Sequence, residues 1–271
     1  MVSVQPVWRA KAVQCDLNMF ARFLKRSRQK ILDRHADAND PFNYLFSGTA
    51  FALWRRANRP TRNASQGLVL DAGSGRGAWR HVIAEGGGRR ESLDIGSDGP
   101  ESPDWVEDLT KMPNVPSERF DAVICHQVLE HTPAPAQALT ELHRVMKPGG
   151  TIVVSVPHLS RRHELPHDYF RFTQEGLNRL MTDAGFDVVE LIPYGGILTF
   201  LHHQFSTVFL GVLSILFPLY YIGIVVNAPF SILFAYLDPI IDRGGMLANG
   251  VIVVGVRRSA DAVDRASKPS Q

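Results

Sequence analysis

Cysteine is scarce in this chain: its 271 residues include only two, Cys15 and Cys125. Two cysteines so far apart in sequence form neither a metal-binding pattern nor a disulfide framework, which predicts a reducing compartment. Charge of one sign is also missing, because 29 Lys and Arg residues nearly balance 27 Asp and Glu residues. The net charge of +2 implies no strong polyanionic partner, so we expect no nucleic acid to bind. The first twenty residues have no apolar core, so we expect no signal peptide and a cytoplasmic protein.

The chain does contain a glycine-rich turn at residues 67–77. The run Leu68–Leu70 is short enough for a strand buried on both faces, and Asp71 ends it. A helical stretch over Ala78–Ala84 follows the turn. The glycines of the turn stand at alternate positions: Gly73, Gly75 and Gly77. A strand, a glycine turn and a helix N-terminus together bring backbone N–H groups close to a ligand, and this spacing disfavours NAD as that ligand.

Apolar runs and helical stretches alternate over the rest of this region, which predicts an α/β fold. The further predicted strands are Glu91–Ile95, Trp105–Leu109, Phe120–His126, Thr151–Val156, Phe186–Ile192 and Gly250–Val256. Helices are predicted from Pro135 to Met146 and from Thr173 to Ala184, with a turn at 147–150 ending the first of them. The link 96–103 is too rich in glycine and proline for the crossover helix that normally joins parallel strands.

These features resemble the class I S-adenosylmethionine (SAM)-dependent methyltransferases. The resemblance rests on the strand, acid and glycine turn at 67–77, on an acid at the end of strand two, and on the polar turn Gln127–His131, which ends in Glu-His. It implies a Rossmann-like seven-stranded sheet with flanking helices over residues 63–257, with SAM as cofactor.

The resemblance also implies where SAM binds. In that family the glycine turn faces the methionine part of the cofactor. Asp94 would hold both ribose hydroxyls, because two carboxylate oxygens can accept from two vicinal hydroxyls. Asp108 would accept from the adenine amino group, and Leu109 would lie against the ring. The full set of cofactor-binding residues that we expect is Asp71, Gly73, Gly75, Gly77, Asp94, Asp108, Leu109 and His126.

Methyl transfer to oxygen needs a base, because the attacking hydroxyl must lose its proton, and histidine has a suitable pKa. Five histidines follow strands four and five: His126, His131, His158, His163 and His167. We predict His167 and His131 as catalytic residues, with Tyr169 and Arg171 binding the acceptor and Arg171 clamping an anion. The alternative is that the aromatic residues of 169–172 pack under the next helix and that His167 caps it.

His163–His167 matches the zinc-protease pattern His-Glu-x-x-His. That pattern requires a helix to place both imidazoles on one face, and Pro166 denies the helix an interior hydrogen bond. We therefore expect no metal site.

Residues 1–62 are predicted to form a helical extension of the domain. Leu17–His35 is a basic amphipathic stretch that either docks on the domain or lies on an anionic membrane. Phe42–Arg59 predicts a second helix or lid, and Arg59–Asn63 predicts a linker. At the other end, residues 258–271 predict a disordered tail.

An apolar insert, residues 193–249, separates predicted strands six and seven, and no charged residue occurs from 191 to 237. A helix over Phe205–Val226 would be about 33 Å long, with a kink at Pro218. A turn at 227–229 would lead to a returning arm, Phe230–Ile241, of about 18 Å, too short to recross a bilayer. We therefore expect a helical hairpin that dips into a membrane from one side. The alternative is that it covers the domain or forms a homodimer interface.

These observations together predict a SAM-dependent methyltransferase. We expect O-methylation of a small or lipid-linked acceptor at the cytoplasmic face of the membrane. N-methylation is an alternative within the enzymes. An alternative of another class is a catalytically inactive, SAM-binding, membrane-associated scaffold or regulator.

Overall fold

The computed structural model describes residues 47–96, 102–214 and 217–258. The predicted helix Leu17–His35, most of the link 96–103 and the tail after residue 258 lie outside them. The strands are β1 (Leu68–Ala72), β2 (Arg89–Asp94), β3 (Trp105–Val106), β4 (Phe120–His126), β5 (Met146–Pro157), β6 (Phe186–Tyr194) and β7 (Gly250–Arg257). They form one sheet in the order β3-β2-β1-β4-β5-β7-β6.

The sheet is parallel except for β7, which pairs antiparallel with both β5 and β6. β1 is the third strand of the sheet, with β2 on one side of it and β4 on the other, so the first strand along the chain is an interior strand. The predicted Rossmann-like fold with seven strands is confirmed. Because β1, β2, β4 and β5 are parallel, the loops after them meet at one edge, where ligands bind in such folds.

Helices cover both faces of the sheet. They are α1 (Gly48–Ala64), α2 (Arg80–Glu85), α3 (Pro135–Val145), α4 (Gln174–Asp183), α5 (Ile197–Leu213) and α6 (Phe217–Ile241). α3 and α4 bury Leu139 and Leu177 in the larger core on one face. α1 and α2 bury Ala57 and Ile83 in a smaller core on the other. The predicted cap of α4 is confirmed, because the Thr173 hydroxyl accepts from the Gly176 N–H.

One of two predicted breaks in the chain is wrong. The stretch predicted as a linker, Arg59–Asn63, belongs to α1, which continues through Pro60 and buries Thr61 against the sheet. This burial overrides the proline's weak helix propensity. The turn predicted at 147–150 ends α3 at Val145, as expected. These residues fall within the bounds of β5 but are unpaired, because Met146 pairs with Phe120 and Thr151 with Ala122. The predicted boundary at residue 62 falls inside α1.

The predicted turn of the apolar insert is also wrong. α5 ends at Leu213, α6 starts at Phe217, and Asn227–Pro229 lies inside α6. Pro218 lies in the first turn of α6, where a missing N–H costs nothing, and not inside a helix as predicted. With 25 residues, α6 is about 37 Å long, which overturns the argument that the returning arm is too short to cross a bilayer. Within the described residues, the stretch Leu219–Ile241 is long and apolar enough to cross a membrane, by length and composition.

The helical hairpin α5–α6 is anchored at the ligand-binding edge of the sheet. Tyr194, which ends β6, and Pro157, which ends β5, both pair with Gly250 at the start of β7. The Asp238 carboxylate of α6 is buried and accepts hydrogen bonds from Leu198 and Thr199 in the first turn of α5. This bond set joins the two helices at their base.

Candidate active site

The predicted acid of strand two and the glycine turn are brought into direct contact. Asp94 Oδ2 accepts from the Gly75 N–H at 2.7 Å, and Oδ1 accepts from the Ile95 N–H at 2.8 Å. The Gly73 N–H also bonds across to the Leu93 carbonyl, which ties the turn to the end of β2. A carboxylate has about four acceptor sites, so Asp94 retains capacity for further donors.

The glycines of the turn are required by its backbone. Gly73, Gly75 and Gly77 have φ values of 68°, 49° and 76°, in the left-handed region that other residues rarely adopt. A Cβ on Gly73 would also overlap the side chain of Val128, whereas the space around Gly75 is open. The turn therefore presents bare backbone beside a carboxylate, a surface that suits a ligand rich in hydroxyl and amino groups.

Asp71 lies beneath this turn and does not reach its surface. It is buried, and its Oδ2 accepts from Arg90 Nε at 2.7 Å. Burial raises the pKa of Asp71, and Arg90 opposes that rise. In this structure Asp71 joins the end of β1 to the start of β2 and leads into the glycine turn.

His126 ends β4 and is held on both sides by protein groups. Its Nε2 lies 2.8 Å from the Thr61 hydroxyl of α1, and its Nδ1 lies 2.9 Å from the Ser155 hydroxyl of β5. The Trp79 ring lies 4.1 Å from the imidazole, centroid to centroid. Burial lowers the pKa of His126 to about 3, so the ring is uncharged at neutral pH. Only the remaining ring edge is left to contact a cofactor.

The two residues expected at the adenine end differ in exposure. Asp108 is exposed, and its Oδ1 accepts from the backbone N–H and the hydroxyl of Thr110 at 2.8 Å each. Leu109 is buried in the larger core, so its side chain supports the loop from inside. Their cofactor roles stay predictions.

Three of the four residues predicted for the acceptor side lie together. His131 Nδ1 is 2.7 Å from the His167 carbonyl oxygen, and His167 Nδ1 is 3.0 Å from the Tyr169 hydroxyl. A carbonyl oxygen only accepts, so Nδ1 of His131 carries the proton and Nε2 carries the lone pair. Nε2 lies 3.6 Å from an oxygen of the exposed Glu164 carboxylate and 3.8 Å from Oε1 of the buried Glu130.

Arg171, the predicted anion clamp, is already paired. Its guanidinium makes two bonds to Asp168, at 2.6 and 2.8 Å, and further bonds to backbone carbonyls of the same loop. This pairing holds the pKa of Asp168 well below its usual range. In this structure Arg171 shapes the loop that carries His167.

Glu130, which lies beside His131, is not among the site residues that the sequence predicted. Its side chain has 0% exposure, and neither carboxylate oxygen has a hydrogen-bond partner among the described residues. Burial raises the pKa of Glu130 to about 8. The Glu-His pair at the end of Gln127–His131 was a signal for it, but burial could not be read from the motif.

Glu130, His131 and His163 each offer one ligand atom within 4.8 Å of the other two. Imidazole nitrogen and carboxylate oxygen form a donor set that divalent ions such as Zn²⁺ accept. The geometry differs from the rejected pattern, because the pair His163 and His167 is not used. That the protein has no metal site stays a prediction.

The comparison with known families agrees with this site. A family model described as a methyltransferase domain matches residues 42–191, more than half of the chain. The chain belongs to this family and is a class I SAM-dependent methyltransferase with SAM as cofactor.

Curated relatives include two proteins named ubiquinone biosynthesis O-methyltransferase. The one from Psychrobacter arcticus is 26% identical over 48% of this chain and 65% of its own length. The one from Pseudomonas paraeruginosa is 27% identical over 46% of this chain and 66% of its own length. The chain thus spans slightly less than two thirds of these relatives.

Among solved structures, the fold is similar to a chain of the complex between the Haloferax volcanii Trm112 methyltransferase activator and a methyltransferase. The TM-score is 0.52 at 19% identity, over 78% of this chain and 93% of that one. This likeness supports the fold alone.

Proposed function

We propose that the protein transfers the methyl group of SAM to a hydroxyl oxygen of a small or lipid-linked acceptor at the cytoplasmic face of a membrane. The observation that carries the proposal is the orientation of His131. Its Nδ1–H is held by the His167 carbonyl, which leaves the lone pair of Nε2 without a hydrogen bond among the described residues, 3.6 Å from the exposed Glu164 carboxylate. The relatives named ubiquinone biosynthesis O-methyltransferase support oxygen as the methyl acceptor and a quinone precursor as the kind of acceptor.

Bound SAM supplies an electrophilic methyl group carried on a sulfonium sulfur. The turn with Gly73, Gly75 and Gly77 would hold its methionine part, and Asp94 its ribose. His126 would present its ring edge beside the turn, and Asp108 and Leu109 would form the adenine end.

His131 would act as the base for the acceptor. The hydroxyl proton would move to Nε2 as the O–H bond breaks, and the imidazolium so formed would face the Glu164 carboxylate at 3.6 Å. His167 and Tyr169, bonded to each other, would position the hydroxyl, and Arg171 would keep their loop in shape.

The lipid-linked acceptor and the membrane are supported by the hairpin α5–α6, which leaves the sheet at the same edge as the site. An acceptor with an apolar tail in the bilayer would present its polar end there. A homodimer that buries the hairpin is the alternative arrangement.

The test measures binding and transfer separately. Calorimetry with SAM should show binding that Asp94→Ala weakens by about 1.5–3 kcal/mol, as for hydrogen bonds to a charged group. Asp183→Ala, an exposed acid paired only with Arg179 on α4, is the matched control and should bind normally. Unchanged affinity in Asp94→Ala would overturn the cofactor site.

Transfer is followed by mass spectrometry of a membrane extract incubated with the protein and isotopically labelled SAM. The labelled methyl group should appear on an oxygen, and His131→Ala should lower the rate by about 10²-fold or more while leaving SAM affinity intact. His81→Ala, at an exposed histidine of α2, is the control. Label on nitrogen would favour N-methylation, and SAM binding with no labelled product would favour the inactive scaffold.

A further inference from the structure

The hairpin α5–α6 buries polar side chains and exposes apolar ones, the reverse of a helix pair in a soluble protein. Its inward-facing side chains include several polar residues with at most 7% exposure: Thr199, His202, Ser206, Asn227, Ser231 and Asp238. Its outward face carries large apolar side chains, among them Phe205, Val208, Val212, Ile222, Val225 and Phe230. Val225 is 72% exposed and Val208 is 68% exposed. Soluble monomers rarely expose a continuous apolar surface of this kind, whereas a lipid-facing helix pair does.

The hairpin has a held base and a free tip. At the base, α1 contacts both helices. Arg55 donates through Nη2 to the Ala235 carbonyl at 2.9 Å, and its Cζ lies 4.6 Å from the Tyr236 ring centroid. Gly48, at the start of α1, faces Thr199 and Ser231. The tip has its own small cluster of Leu210, Tyr220 and Ile224.

The length of the free part matches one leaflet. From Ser231 to Phe217 the helix rises about 21 Å, and from Thr199 to Leu213 it rises the same amount. The hydrocarbon of one leaflet is about 15 Å thick, with several ångströms of headgroup above it. The tip would therefore reach the middle of the bilayer, and Arg55 and Tyr236 would lie at headgroup level, where such side chains are favoured.

Beside the acceptor loop, Arg161 and His203 of α5 contact each other and leave hydrogen-bond donors unused. Arg161 is exposed and makes no ion pair among the described residues; its Nε lies 3.5 Å from His203 Nε2. Since guanidinium groups only donate, His203 accepts there through Nε2 and carries its proton on Nδ1. That Nδ1 is buried and has no partner in the described part of the chain. The other N–H groups of the exposed Arg161 guanidinium suit a phosphate oxygen, and His203 holds that guanidinium from the protein side.

We propose that the tip of the hairpin enters a single leaflet of an anionic membrane, and that Arg161, held by His203 at the base of the hairpin, binds the phosphate of a phospholipid headgroup. This inference rests on the proposed function and specifies the partner of that site. The membrane would hold the open side of the acceptor loop at the headgroup layer.

Flotation with vesicles tests the apolar face. The full chain should float with phosphatidylcholine vesicles and at least about fivefold more with vesicles that also contain phosphatidylglycerol. Val225→Asp should reduce flotation on both at least tenfold, because a charge would enter hydrocarbon. Val189→Asp, at a side chain of similar exposure on β6, should float normally. If Val225→Asp floats like the wild type, or if the wild type is a dimer that does not float, the leaflet proposal is wrong.

The headgroup site is tested with two adjacent arginines. Arg161→Gln should abolish the preference for phosphatidylglycerol, whereas Arg162→Gln, at the exposed neighbour, should reduce it only slightly. Equal losses would show a diffuse charge effect and overturn the site. Inorganic phosphate in excess should leave the preference intact; if it removes the preference as Arg161→Gln does, the site binds free phosphate and not lipid.

The depth to which the hairpin enters the bilayer is tested by thiol labelling of the protein in sealed vesicles, with Cys15 replaced by serine. A thiol at Val212→Cys should resist an impermeant reagent from both sides, whereas one at Met246→Cys, an exposed position between α6 and β7, should react. Reaction of Val212→Cys from the far side would show a crossing hairpin and defeat the proposal. SAM affinity and methyl transfer to a water-soluble acceptor in detergent should be unchanged in Arg161→Gln, so failure here is distinguishable from failure of the proposed function.

Discussion

His126 connects three elements through an uncharged imidazole. Thr61 of α1 and Ser155 of β5 bond its two nitrogens, and its burial leaves no room for water to solvate a charge. α1 is thereby attached to the end of β4 beside the glycine turn. The protonation state of His126 therefore affects how firmly α1 is held against the sheet.

This burial predicts a pH-dependent stability. The pKa of His126 is lowered to about 3 in the folded chain, against an ordinary value near 6.5 when unfolded. Between these values the unfolded chain binds the extra proton, so stability is complete above about pH 6.5 and falls as the pH is lowered, by on the order of 5 kcal/mol in the limit. Urea unfolding of His126→Gln should show a shallower loss of stability between pH 6.5 and 4. His81→Gln, at an exposed position, should retain the wild-type slope; a wild-type slope in His126→Gln would contradict the assignment.

The glycine turn allows a matched pair of substitutions. Gly73→Ala meets both a left-handed φ and the Val128 side chain, whereas Gly75→Ala meets the φ alone. We expect Gly73→Ala to be destabilised by about 1–3 kcal/mol more than Gly75→Ala in the free energy of unfolding. Equal destabilisation would mean that Val128 moves aside without cost.

At the scale of elements, α5 depends on a cap supplied by another helix. Asp238 of α6 accepts from the N–H groups of Leu198 and Thr199 and from the Thr199 hydroxyl, at 2.9, 2.9 and 2.6 Å. A helix N-terminus favours a carboxylate, and this one is fully buried.

Removing this cap should loosen the base of the hairpin. Asp238→Ala leaves the N–H groups of Leu198 and Thr199 without this acceptor, while the Thr199 hydroxyl keeps the Gly196 carbonyl, and we expect a loss of about 2–4 kcal/mol in the free energy of unfolding. Hydrogen exchange at Leu198 and Thr199 should become faster than elsewhere in the sheet. Asp183→Ala is the control, because that acid is exposed and forms one surface pair. Protection of these two amides in Asp238→Ala would show that the cap is dispensable.

The elements of the sheet could be predicted well because each is encoded locally. Phe120–His126 has the predicted bounds, since an apolar run between polar turns marks a buried strand. The insert could not be divided correctly, because Asn227 and Pro229 look like a turn in sequence. Asn227 is instead buried between packed helices, and that tertiary contact decides the local structure.

At the scale of the whole molecule, topology explains which parts of the site were predictable. Asp94 and Gly75 meet because the ends of neighbouring parallel strands must meet, and strand order follows from the family resemblance. Two other features depend on side-chain packing that residue spacing does not reveal. They are the bond between Asp71 and Arg90 and the lack of a hydrogen-bond partner for the Glu130 carboxylate among the described residues. The same is true of Arg171, whose partner Asp168 was visible in sequence but whose pairing was not.

The whole molecule also predicts its behaviour in cell fractionation. With an apolar hairpin exposed and a charge-free run from 191 to 237, the protein should sediment with membranes, resist extraction by salt and be released by detergent. A protein that stays soluble without detergent as a dimer would instead favour the interface between two copies. Immunoblotting of the fractions with size-exclusion chromatography distinguishes the two.

The place of β7 has a consequence for how the chain is made. β7 lies between β5 and β6, yet it leaves the ribosome after both strands and after the whole of α5–α6. Until β7 arrives, β5 and β6 have no partner between them, and the apolar hairpin is already outside the ribosome. The hairpin is therefore complete before the sheet can close. Synthesis orders the two events: the apolar segment is made first, and the last strand of the catalytic domain is inserted after it.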